Sequence, residues 1–69
     1  MTPVTSSAIA AIGHDPETRT LLVRFRSGET YGYLEVSPEV FKAFLTAASK
    51  GRFFHERIDP AFRYVRLEA

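Results

Sequence analysis

Residues 19–26 read RTLLVRFR, which places Leu21, Val23 and Phe25 on one parity and Thr20, Leu22 and Arg24 on the other. A period of two marks a strand with one face turned to a core. Arg26-Ser27-Gly28-Glu29 then makes a tight reversal, and Thr30 to Leu34 returns with Tyr31 and Tyr33 on a single face. Upstream, Ala8 to His14 holds Ile9 and Ile12 among small residues and meets Asp15-Pro16-Glu17-Thr18. There proline presets a turn dihedral, and an aspartate can accept from the backbone that follows. These segments predict a three-stranded antiparallel meander. The polar stretch before it, with Pro3, predicts an extended or frayed lead-in over residues 1–7, leaving residues 8–69 as a single domain.

After Val36 the pattern changes period. Ser37-Pro38-Glu39 supplies a hydroxyl at a helix N-cap, proline at the first helical position and a carboxylate in the first turn. Val40, Phe41, Phe44, Leu45 and Ala48 follow as one apolar stripe, with Glu39, Lys42, Thr46 and Ser49 opposite it. The spacing predicts a helix from Ser37 to Lys50, stopped by Gly51. Beyond it, Phe53, Phe54 and Ile58 fit a short helical turn before Asp59-Pro60, and Arg63 to Glu68 alternates as a further strand would. The expected fold class is α+β: the meander, one helix packed on one face, and a C-terminal extension.

The direction of Tyr31 and Tyr33 depends on hairpin register. A two-residue turn at Ser27-Gly28 would pair Phe25 with Thr30 and set both tyrosines beside Leu22 and Arg24, outside the core. A type I turn followed by Gly28 in the left-handed conformation would pair Phe25 with Glu29 and set them beside Leu21 and Val23. The bulged register gives the cleaner apolar face and is preferred. Both tyrosines are then expected to pack against Phe41 and Phe44 with their hydroxyls at the rim.

The chain has 69 residues, 45% of them hydrophobic, and a net charge of +1. That composition argues against disorder, and at this size only about 60% of the unfolded surface is buried, so a large enclosed active site is not expected. Absence of cysteine excludes disulfides, thiolate metal sites and a thiol nucleophile. The one apolar run near the N-terminus, Ala8 to Ile12, is shorter than a signal peptide's core, and nothing approaches the roughly 20 apolar residues of a membrane span. A cytoplasmic protein is expected. His14 and His55 lack metal-ligand spacing, Ser6, Ser7, His14 and Asp15 form no compelling triad, and Glu29 with Glu35 read as solvated strand-end charges. The expectation is a non-catalytic protein with no cofactor and no metal.

Charge is unevenly spread. From Lys50 to Arg66, the five bases Lys50, Arg52, Arg57, Arg63 and Arg66 face only Glu56 and Asp59, a net of +3. Phe53, Phe54, His55, Phe62 and Tyr64 interleave with them. Bases among aromatics are what single-stranded nucleic-acid binders use to hold phosphates and stack bases. A pI of 8.2 is below the value above about 9 that marks a strongly electrostatic binder. With no Asn or Gln to read adenine edges, binding would be led by phosphate and shape.

Ser6-Ser7, Ile12-Gly13-His14-Asp15, Leu21 through Phe25, Gly28, Tyr31-Gly32-Tyr33, Val36-Ser37-Pro38 and Ala48 through Phe54 occur in an order that resembles the KTSC domain family. That family is named for its place at the C-terminus of some lysyl-tRNA synthetases, occurs also as stand-alone bacterial proteins, and has a central Tyr-x-Tyr as its hallmark. The resemblance implies RNA, or tRNA, as a partner and supplies no catalytic residues. Together with the charge pattern it makes Lys50, Arg52, Arg57 and Arg63 the candidate phosphate contacts, with Tyr31 and Tyr33 as structural residues. The alternative is a protein-interaction module, in which a partner adds a strand to a free sheet edge or docks on Phe53 and Phe54.

Overall fold

The computed structural model describes residues 1–67. Five strands, β1 (Thr2–Pro3), β2 (Ile9–Asp15), β3 (Thr20–Phe25), β4 (Thr30–Tyr33) and β5 (Tyr64–Leu67), form one antiparallel sheet in chain order. Between β4 and β5 lie α1 (Pro38–Thr46) and α2 (Lys50–Phe53), and α2 continues as a π-helical stretch over Phe54–Ile58. The meander is thus the centre of a wider sheet, extended by one strand at each edge. A three-stranded sheet leaves two rows of unpaired backbone groups, and β1 and β5 cover them.

At the first edge, the lead-in is a paired strand. Thr2 lies opposite Ile12 and Pro3 opposite Ala11. A proline, which has no N–H to give, is tolerated on an edge. The Val4 N–H donates to the Ala10 carbonyl (3.2 Å), Ser6 Oγ accepts from the Ala8 and Ile9 N–H groups (3.2 Å each), and Arg26 Nε donates to the Ser6 carbonyl. At the other edge, the alternation from Arg63 gives β5; Glu68 lies outside the described residues.

The β3–β4 hairpin takes the bulged register. The Phe25 N–H donates to the Glu29 carbonyl (2.8 Å) and the Gly28 N–H to the Phe25 carbonyl (3.0 Å), with Gly28 at φ 102°. Leu21 therefore faces Tyr33 and Val23 faces Tyr31 across the pair. Ile9, Ile12, Leu21, Val23 and Tyr33 then form the sheet side of a core closed by Val36, Phe44, Phe54 and Ile58.

The helical layer departs from the single expected helix. Ser37 Oγ caps α1 by accepting the Val40 N–H (3.3 Å), but α1 stops at Thr46, where Ala47 becomes extended. Ser49 then caps a second helix, accepting the Arg52 N–H (3.2 Å), so Gly51 lies inside α2 instead of ending α1 and Ala48 is exposed. The two helices divide the sheet. Against β2, Phe41 of α1 stacks on His14, with ring centroids 5.3 Å apart. Phe54, in the π-helical stretch, meets Phe25 (5.4 Å) and Tyr33 (5.5 Å) edge to face. Tyr33 consequently packs on Phe54 and Tyr64, and Phe44 stacks on Phe53; the expected contacts of the tyrosines with Phe41 and Phe44 are replaced because a second helix lies over β3 and β4.

Candidate nucleic-acid interface

The four candidate phosphate contacts have different surroundings. Arg52 and Arg57 come together: both line a shallow basin of about 270 Å³ with Ala47, Ala48, Ser49, Phe53 and Glu56. Their convergence follows from helical spacing, since Phe54 and Ile58 take the buried side and leave Arg52, Glu56 and Arg57 in solvent. Arg52 Nε bonds Glu56 Oε2 at 2.9 Å, but the Arg52 side chain is 77% exposed. An exposed pair of this kind contributes at most about 1 kcal/mol, so the carboxylate does not lock the guanidinium in place. The Arg57 guanidinium lies 5.6 Å from the centre of the Phe53 ring, which is stacked in turn on Phe44. This orients the cation, and among the described residues its N–H donors have no hydrogen-bond acceptor.

Lys50 and Arg63 do not join that basin. Lys50 is half-buried, and its Nζ donates to the Ala47 carbonyl just beyond α1. Arg63 leads into β5, with its carbonyl accepting the Leu34 N–H (2.8 Å) and its side chain exposed. Arg66, also in the basic segment, lies on β5 within 3.5 Å of Glu29. The sequence concentration of charge is therefore divided between the helical layer and the far edge of the sheet.

Tyr31 and Tyr33 differ in exposure. Tyr33 is 1% exposed, whereas Tyr31 is half-buried between Phe25 (5.6 Å, edge to face) and Tyr64 (5.4 Å, stacked). Burial, with smaller contributions from Asp59, Tyr64 and Tyr31, pushes the Tyr33 hydroxyl from 10.0 up to about 12. A raised phenol pKa means that the native state holds its proton more tightly than the unfolded chain. The associated stability is complete below pH 10 and is lost as pH climbs from about 10 to about 12. Denaturant melts across that window should show wild type losing more stability than Tyr33→Phe. Equal losses would place the hydroxyl in solvent.

The other polar candidates hold local structure. His14 Nε2 donates to the Val36 carbonyl (2.7 Å), Asp15 Oδ1 accepts the Glu17 N–H (3.0 Å), and Ser6 caps the start of β2. Glu29 accepts from Ser27 Oγ (2.8 Å) and faces Arg66, and Glu35 bends the chain after β4 at φ 57°. Sequence reasoning missed one surface. Tyr64, Val65 and Leu67 on β5 are all exposed, and the alternation from Arg63 contained that information once a partner strand on only one side is assumed.

Among the described residues, no helix is long and apolar enough to cross a membrane. The KTSC domain family model matches residues 5–62. A protein of Tsukamurella paurometabola is 52% identical over 67 residues, covering 97% of this chain and all of that protein. The lysine–tRNA ligase of a Nostoc species is 39% identical over 61 residues, which are 88% of this chain but 11% of the ligase. The crystal structure of a KTSC domain protein from Yersinia pestis superposes with a TM-score of 0.93 at 42% identity, covering 97% of this chain and 94% of that one. In sequence from the lead-in to the second helix, and in fold from edge to edge, this chain belongs to the KTSC domain family.

Proposed function

We propose that this domain is a non-catalytic RNA-binding module that holds backbone phosphates through Arg52 and Arg57. The observation that carries the reading is the occurrence of a matching segment, 11% of the whole, in enzymes named lysine–tRNA ligases. A small domain attached to an enzyme that handles tRNA has RNA as its nearest charged partner. Support from the molecule itself is the basin in which two exposed guanidiniums flank a half-buried phenylalanine. Such forks match phosphate geometry, and the lack of Asn and Gln fits a reader of backbone over base edges. Lys50 is occupied by a carbonyl and Arg63 stands on another element, so they are auxiliary contacts in this reading. Docking on Phe53 and Phe54 together is disfavoured, because Phe54 is 7% exposed.

Each phosphate contact to a single strand contributes about −0.7 to the slope of log affinity against log salt, so two contacts, with Arg63 as a third, give roughly −1.4 to −2. Replacing Arg52 and Arg57 with glutamine should flatten that slope by about 1 to 1.5, weaken all sequences alike, and leave the melting transition in place. Anisotropy titrations of labelled single-stranded RNA at several salt concentrations measure this. A slope unchanged in the double variant would remove Arg52 and Arg57 from the interface.

A further inference from the structure

We propose that β5 pairs antiparallel with β5 of a second copy of this chain, about a two-fold axis at Val65, to make one continuous sheet across a dimer. The inference does not rest on the RNA reading, whose two principal contacts, Arg52 and Arg57, lie in the helical layer. Of the two sheet edges, β1 is two residues long and contains Pro3, a guarded edge. Over its described residues β5 carries no such guard: all four are exposed, and Tyr64, Val65 and Leu67 are large and apolar. Its one charge, Arg66, is directed to Glu29 of the same chain.

Backbone phase fixes what that edge offers. Val65 lies opposite Gly32 and Leu67 opposite Thr30, and the Leu34 N–H donates to the Arg63 carbonyl. In an antiparallel ladder, hydrogen-bonded residues alternate with residues whose groups point the other way. Arg63, Val65 and Leu67 therefore bond toward β4, and the N–H and C=O groups of Tyr64 and Arg66 point outward. A second copy can meet those groups in three symmetric registers. Tyr64 against Tyr64 leaves Arg66 opposite Phe62, outside the strand, and Arg66 against Arg66 opposes like charges. Tyr64 against Arg66 pairs all the outward groups in four hydrogen bonds and lets each guanidinium, held to Glu29 only by an exposed 3.5 Å pair, turn to a tyrosine ring already held by stacking on Tyr31. It also sets Val65 against Val65 at the axis, on the opposite face of the sheet. The strand is complementary to itself, with aromatic and cation spaced so that each meets the other, which argues for a copy of this chain as the occupant.

One strand pair is a small interface, so the dimer belongs to the weak, concentration-dependent class. Sedimentation equilibrium of the full chain up to millimolar concentration, with amide exchange followed by NMR, tests it. The expected result is a monomer–dimer equilibrium in which the Tyr64 and Arg66 amides gain protection as concentration rises, while the Val65 amide is protected throughout. Arg66→Pro removes an outward N–H and should abolish dimerisation with the fold retained; Arg66→Ala keeps that N–H and should still dimerise, more weakly. A chain monomeric at millimolar concentration, a dimer that Arg66→Pro leaves intact, or Tyr64 and Arg66 amides indifferent to concentration would each overturn the proposal. The monomeric outcome would leave the edge to a strand from a different protein.

Discussion

Replacing Tyr33 with alanine is expected to destabilise this domain by about 3–5 kcal/mol, a large share of the roughly 5–15 kcal/mol that small domains possess. The ring lies opposite Leu21 on the core face of the sheet, is 1% exposed, and touches Phe54 and Tyr64. Removal leaves a cavity between sheet and second helix that a fixed β-ladder cannot collapse to fill. Tyr33→Phe keeps the ring and should cost under about 1.5 kcal/mol. Denaturant midpoints at constant slope separate the two, and an alanine variant as stable as wild type would show that Tyr33 is a surface residue.

Phe54→Ala is expected to cost nearly as much, about 3–4 kcal/mol, against about 1–2 for Phe53→Ala next to it. Phe54 meets both Phe25 and Tyr33, so it joins the C-terminal half of the chain to the β3–β4 hairpin. Phe53 stacks on Phe44 and keeps an open side beneath Arg57. The comparison measures whether the second helix is an essential wall of the core. A Phe54→Ala cost of about 1 kcal/mol or less would mean that it is not.

Patterns confined to neighbouring residues were legible in the sequence. The period-two run at Leu21 to Phe25, the Ser37-Pro38-Glu39 cap and the Gly28 bulge each carry a local physical constraint, and each appears where expected. What was not legible depends on pairing between distant segments. Thr2 and Pro3 have no strand character of their own and become a strand only because β2 offers them an edge. The end of α1 is ambiguous in the sequence for a different reason: Gly51 fits a helix stop, while Ser49 two residues earlier is as good a cap for a new helix, and the fold uses the cap. That second helix then displaced Phe41 and Phe44 from the tyrosines. At the candidate site, the charge count from Lys50 to Arg66 was correct, but charge along a chain does not say which side chains share a surface. Helical spacing joins Arg52 to Arg57, whereas β5 carries Arg66 to the hairpin and Lys50 is held at the end of α1.

The proposed binding of RNA is tested most directly by a low-salt anisotropy titration of labelled single-stranded RNA with unlabelled RNA, DNA and a polyanion of equal charge as competitors. The predicted result is saturable binding with little sequence preference, displaced more effectively by RNA than by the polyanion. No binding at low salt, or displacement by the polyanion as effective as by RNA, would contradict it.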